Sequence, residues 1–325
     1  MSKHIGRLQQ VGIGKESPRG TAAVPTFWLK KIDFDFDDKF EPVIDESSFG
    51  VIEDAENLDV AKKWGEGQIG GNVGDASIGL LLLAALGTVN TADNADSDPS
   101  VKDHTFSVQE DAQHDSITIE AKNPNEQKKY ANGVVQSLEF SVEQKDYMKF
   151  VANILARNGA TAANSPSYTA ENRFLGRHVN VKFATDLAGL AAAGAIQVVS
   201  ASLQITKEVD HDDILGLAYP NDFLNKHFMV EGTIELRYNA TTYKDLALAG
   251  TQKAMRIQAI NTDVTIGSAA HPELRIDLAK VKLTEWSKSG GNNDIITETL
   301  KIKGLYDASE TQMIEILLTN TQASY

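Results

Sequence analysis

The chain has 325 residues, 42% of them hydrophobic, enough for one large core or two ordinary ones. Its 45 Asp and Glu outnumber 31 Lys and Arg, giving a net charge of −14, which argues against a groove built to grip nucleic acid. Cysteine is absent, so disulfide frameworks and thiolate metal sites are excluded. The first 30 residues lack the apolar core of a secretory signal, and the longest apolar run, residues 78–87, is too short for a membrane span. These features describe a soluble protein made in a cytosol.

In chain order, the first notable stretch is VGIGKESPRGTA, residues 11–22. Gly12 and Gly14 with Lys15 resemble a phosphate loop, but the glycines stand one residue apart and Glu16 follows the lysine, where a hydroxyl is required. No buried strand is predicted ahead of it, as a dinucleotide fold needs. The expected structure is a mobile N-terminal arm over residues 1–26, ordered by a partner.

Strand patterning begins at KIDFDFD, where Ile32, Phe34 and Phe36 alternate with Asp33, Asp35 and Asp37. From Asp33 to Asp59 there are eleven carboxylates and one base, Lys39. A short apolar helix is predicted over residues 75–86, with Asp75 as N-cap and Gly87 as its stop. Ile78, Leu81, Leu82 and Ala85 form its packed face. A polar loop, residues 90–103, precedes further strands near 104–122 and 133–143. In the last of these Leu138, Phe140 and Val142 oppose Glu139 and Glu143.

A second copy of this order follows: a strand over 196–209, the acidic connection DHDD at 210–213, a strand over 228–238, a helix over 241–249 and three more strands. Glu208, Glu235 and Glu298 occupy its alternating strands. The reading is mainly β: sandwich or half-barrel units, one short helix in each, in two tandem domains covering 27–160 and 176–325, with a linker over 161–175. Most strands have one wet face.

No catalytic constellation stands out. Seven histidines form no i, i+4 pair, DHDD lacks the spaced pattern of a calcium loop, and no G-x-S-x-G elbow is present. No catalytic residue, cofactor or metal is expected. Trp28, Trp64 and Trp286 fall at strand ends, where core or interface packing is the simplest role.

The N-terminal pattern GIGKESPRGTAAVP, with Gly12, Gly14, Glu16, Gly20, Thr21 and Pro25, resembles the start of the major tail tube proteins of long-tailed phages. The helix flanked by GGNVGD and LAALGT is similar to that family's single helix, and the resemblance spans the chain. It implies a structural subunit of the virion tail, synthesised in the host cytoplasm, and not an enzyme. Subunits of that family close into stacked rings, each domain giving four inner strands to a barrel around the channel for double-stranded DNA.

Two domains per chain then imply a trimeric, pseudo-hexameric ring, with a homohexamer as the alternative. Tape measure, tail terminator and tail-tip proteins are the implied partners. Asp33, Asp35, Asp37, Glu139, Glu143, Glu208, Glu235 and Glu298 are candidates for the channel wall, where like charge keeps DNA from sticking. Gly12, Gly14, Lys15, Glu16 and Arg19 are candidates for contact with a neighbouring subunit or ring, together with reaching loops over 38–62 and 90–103. Another self-assembling β-sandwich, such as a shell or pilus-like subunit, and a carbohydrate-active enzyme on a β scaffold are the other readings.

Overall fold

A computed structural model describes residues 3–325. The first half contains β1 (Gln10–Lys15), β2 (Phe27–Leu29), β3 (Lys31–Asp45), β4 (Asn57–Asn72), α1 (Ile78–Leu86), β5 (Gly87–Asp93), β6 (Lys102–Val108), β7 (Ile117–Lys122), β8 (Gln127–Glu143), β9 (Lys149–Arg157) and β10 (Ala160–Thr161). The second contains β11 (Val179–Ala184), β12 (Val198–Asp212), β13 (Asp222–Arg237), α2 (Thr242–Ala249), β14 (Lys253–Ile260), β15 (Glu273–Ser289), β16 (Thr297–Leu305) and β17 (Ile314–Asn320). Antiparallel β-structure dominates, as the period-two patterning requires.

The principal sheet runs β3-β4-β9-β8-β12-β13-β16-β15. One pairing pattern occurs twice in it: a long hairpin, β3–β4 or β12–β13, joined to a second pair, β9–β8 or β16–β15. The irregularities recur as well. Breaks in register between Lys31 and Asp33, between Glu41 and Pro42, and between Val135 and Ser137 have counterparts at Val198/Ser200, Glu208/Val209 and Leu283/Glu285. Bulges are positional features of a fold, so their repetition aligns the two halves residue by residue.

Direct sequence likeness is densest at one point of that alignment. Glu66-Gly67-Gln68-Ile69 on β4 matches Glu231-Gly232-Thr233-Ile234 on β13. Gly67, with φ +156, lies opposite Phe36, and an added Cβ would stand 1.7 Å from the Asp35 carbonyl oxygen. Gly232 lies opposite Leu203, and its Cβ would stand 2.6 Å from the Ser202 carbonyl oxygen. Both strands are pressed against the neighbouring backbone where a side chain cannot fit.

Outer strands cover the apolar face of the principal sheet. The first half uses β2-β1-β7, continued by the N-terminal part of β8 and by β10; the second uses β11-β14, the N-terminal part of β15, then β17, β6 and β5. Strands β8 and β15 therefore serve both layers, and each carries its register break where it passes from one to the other. Ile69, Leu138, Phe140, Leu203, Ile205, Ile234, Leu300 and Ile302 fill the space between, in one continuous core.

Two expected loops belong to hairpins. Much of 90–103 lies in the β5–β6 hairpin, tied into the second half because β6 pairs with β17. Its turn is anchored: Asp96 accepts from the backbone N–H groups of Ser268 (3.0 Å), Ala269 (2.7 Å) and Ala270 (2.7 Å). The turn is thus held by its own chain. Residues 38–62 are mostly the distal part of the β3–β4 hairpin, with only the turn, 46–56, outside the strands. Backbone pairing between the two strands holds each hairpin, which carboxylate-rich sequence obscures.

All nine residues of α1 are buried, Ile78, Leu81, Leu82 and Ala85 among them. No single packed face exists because strands surround the helix. Asp75 is not its N-cap; Ser77 holds that position without a side-chain bond, and Asp75 accepts from the Asn172 N–H (2.9 Å) and Nδ2 (2.7 Å). Gly87 ends the helix at φ 100. Leu82 is 0% exposed, so Leu82→Ala should cost about 2–5 kcal/mol. The urea midpoint measures this, and a loss below ~0.5 kcal/mol would mean the site collapses without a cavity. By contrast, α2 has no buried residue.

Candidate assembly surface

The opposite face of the principal sheet is polar, and cross-strand pairing orders its side chains into rows. One row runs Asp33, Gly70, Val151, Glu139, Gln204, Glu231, Lys303; the next runs Asp35, Gln68, Asn153, Ser137, Thr206. Asp33, Asp35, Asp37, Glu143 and Glu208 are exposed on this face, and Glu139 and Glu235 are half-buried on it. Glu298 is not part of it. Only 1% exposed, Glu298 points to the core side with Leu300 and accepts from Trp286 Nε1 at 2.8 Å. Period-two counting cannot reveal a carboxylate on the inward parity, where Oε2 accepts from the indole N–H and Oε1 is buried without a partner among the described residues.

Glu66, Glu231 and Glu285 belong to the polar face and were missed. Glycines at 65 and 67 break the alternation around Glu66, and the register break before Glu285 shifts the parity of its strand. The charges are also unevenly balanced. In the second half Lys301 pairs with Glu285 (2.6 Å), Lys303 with Glu231 (3.1 Å) and Lys226 with Glu208 (3.3 Å). In the first half Asp33, Asp35, Glu139 and Glu143 have no ion pair among the described residues. Uncompensated negative charge is concentrated there.

The segment expected to be a partner-ordered arm is built into its own chain. β1 lies between β2 and β7, paired to both. Gly12 and Gly14 are needed because residues 24–28 fold back over the strand: a Cβ at Gly12 would meet Pro25 at 2.7 Å, and at Gly14 the Val24 carbonyl at 2.5 Å. Glu16, 3% exposed, accepts from the N–H of Gly20 (2.8 Å), the N–H of Asn132 (2.8 Å), Thr118 Oγ1 (2.8 Å) and Ser116 Oγ. Lys15 pairs with Asp115 at 3.1 Å. Four donors around one carboxylate make this turn a rigid part of the fold.

Arg19 reaches across to the second half. Its Nη2 donates to Asp222 Oδ1 (2.9 Å) and to the Phe223 carbonyl (2.8 Å), and its Nη1 to the His114 carbonyl. Asn132 Nδ2 donates to the same Asp222 oxygen at 2.9 Å. Burial pushes the Asp222 carboxyl up, but the Arg19 and Asn132 hydrogen bonds outweigh it and hold the group below the usual range.

Beside this clasp the β12–β13 hairpin tip lies against β4 and β9. Lys63 N–H donates to the Ala218 carbonyl (2.8 Å), Lys62 pairs with Asp213, and Arg157 donates to the Pro220 and Asn221 carbonyls. Phe223 is buried against Val134 and Leu155, with Trp64 and Val209 at the margin. Asp212 and Asp213 of the DHDD stretch are thus engaged by Asn221 and Lys62. Trp28 is buried, while Trp64 donates to Glu66 at 2.8 Å.

The halves also meet through Lys207 on the core side of β12. Its ammonium donates to the Ala84 carbonyl at the C-terminal end of α1 (2.8 Å), where the helix dipole favours a cation. Burial pulls Lys207 down to about 7, and burial with the Lys207 charge pulls His114 down to about 4.

These features define a class: an antiparallel β protein whose principal sheet is apolar on one face, acidic on the other and, among the described residues, unpaired at both outer edges. The family model for phage tail tube proteins matches residues 6–304, and the chain belongs to that family. It is a structural component of the phage virion tail. No curated protein matches it. Among the described residues no helix is long and apolar enough to cross a membrane.

Proposed function

We propose that the two halves are tandem tube domains, and that three chains close side by side into a pseudo-hexameric ring whose acidic sheet face lines a channel for double-stranded DNA. The observation that carries this is the β8–β12 pairing, which joins two four-stranded units into one sheet and leaves β3 and the end of β15 without outer partners among the described residues. Unpaired edges invite association, and closure into a barrel removes them. About 24 strands, spaced ~4.8 Å apart and tilted ~40°, close on a circle ~48 Å across, which leaves room for a duplex after side chains line the wall.

The chain acts without catalysis. Rings stack, the tape measure protein occupies the channel before DNA does, and terminator and tip proteins close the ends. The acidic wall repels the phosphate backbone over roughly 8 Å at physiological salt, so DNA slides without sticking. Native mass measurement should give three chains per ring, and six would overturn the stoichiometry. Replacing Asp33, Glu139 and Glu143 together with Lys should slow or block DNA ejection while tubes still form in negative-stain images. Normal ejection through such tubes would overturn the role of the charge.

A further inference from the structure

The β8–β12 junction inside the chain specifies a second junction between chains. Across it Ser137 faces Thr206, Glu139 faces Gln204 and Ser141 faces Ser202. The repeated bulges equate the end of β15 with the end of β8: Leu138–Ala152–Ile69 on one side matches Trp286–Leu300–Ile234 on the other. They likewise equate β3 with β12, since Phe36 opposes Gly67 as Leu203 opposes Gly232. Among the described residues β3 pairs only with β4, and Leu283–Ser289 only with β16.

We infer that β3 of one chain pairs antiparallel with the Leu283–Ser289 end of β15 in a second copy, with Lys39 opposite Glu285, Asp37 opposite Ser287 and Asp35 opposite Ser289, and that Phe40 then seats on the last turn of that copy's α2. This rests on the ring reading above and fixes its register. Three independent features agree with it. Asp35, Asp37, Ser287 and Ser289 all fall on the polar face, so the sheet continues across the junction without a change of parity. Lys39, the one base between Asp33 and Asp59, meets the carboxylate of Glu285.

The third feature is the contrast between the helices. Within the chain α1 is covered at its C-terminal end by Lys207 from β12. The residue in that place on β3 is Phe40, which is 63% exposed, and α2 is left uncovered with Leu248 78% exposed. One chain therefore carries both an apolar side chain without a seat and a helix end without a lid. A second copy supplies each to the other.

Because the chain has no cysteine, an engineered pair reports unambiguously. Asp37→Cys with Ser287→Cys, treated with a short thiol cross-linker, should give species of two and three chains on denaturing gels. Glu139→Cys with Gln204→Cys should cross-link within one chain with no change of mass. If negative-stain images show rings but Asp37→Cys joins only Glu285→Cys or Ser289→Cys, or nothing, the register is overturned while the ring stands. If neither rings nor linked species form, both are overturned. Phe40→Asp should leave monomer melting unchanged and raise the concentration needed for rings by about tenfold or more. Unchanged assembly would overturn the α2 contact.

Discussion

Deleting residues 1–20 should unfold the first half of the protein and not merely prevent assembly. The deletion takes β1 from between β2 and β7, and with it Val11 and Ile13, both 0% exposed. Two strand edges and a strip of core would be opened at once. The carboxylate of Glu16 isolates the polar part of this effect. In Glu16→Ala the N–H groups of Gly20 and Asn132 lose their acceptor, and the hydroxyls of Ser116 and Thr118 lose theirs. A buried donor stripped of its partner costs about 1–3 kcal/mol, more where the partner was charged, so ~3 kcal/mol or more is expected. Glu16→Gln keeps one acceptor oxygen and should lose less. Urea unfolding decides the matter, and a Glu16→Ala loss below ~1 kcal/mol would show that water replaces the carboxylate.

Asp222→Ala should cost about 3 kcal/mol, because it strands the Arg19 guanidinium and the Asn132 amide at the contact between the halves. The side chains of Arg19 and Asp222 are 20% and 13% exposed, so screening is limited. Arg19→Met with Asp222→Leu should recover much of the loss, since an apolar pair leaves no buried charge. The pH dependence follows from the direction of the Asp222 shift. Its carboxyl is held below the ordinary value in the folded chain. The unfolded chain therefore binds the proton first, and the stabilisation is complete above the unfolded value of about 3.9 and lost as pH falls through the folded one. Acid unfolding of Asp222→Ala should be less steep than that of the parent below about pH 4. Equal steepness would place the acid-sensitive group elsewhere.

Strands with one wet face were readable where alternation is unbroken, as in KIDFDFD, and failed where glycine or a bulge interrupts it. Glu66 between Gly65 and Gly67 carries no parity signal, and Thr284 at a register break moves Glu285 to the polar face. Glu298 failed for the opposite reason: the pattern around it is regular, but an indole N–H lets the carboxylate occupy the inward side. α1 was legible from composition alone, because nine consecutive apolar or small residues have no other stable place than a core.

By itself the sequence determined the β class, the two helices, the order of elements in each half and the acidity of one sheet face. Local alternation and turn residues encode these directly. Only the tertiary structure decided that GIGKESPRG is a strand and a clasp, that 90–103 belongs to the second half, and that the acidic 38–62 stretch is a hairpin. It alone revealed that the bulges of the two halves coincide. The reason is that pairing partners of β1, β6 and β12 lie far away along the chain, and the groups that make Glu16 or Arg19 structural come from residues about a hundred or two hundred positions distant. Hydrogen bonds between such remote segments are set by packing of the whole sheet, and no local pattern announces them.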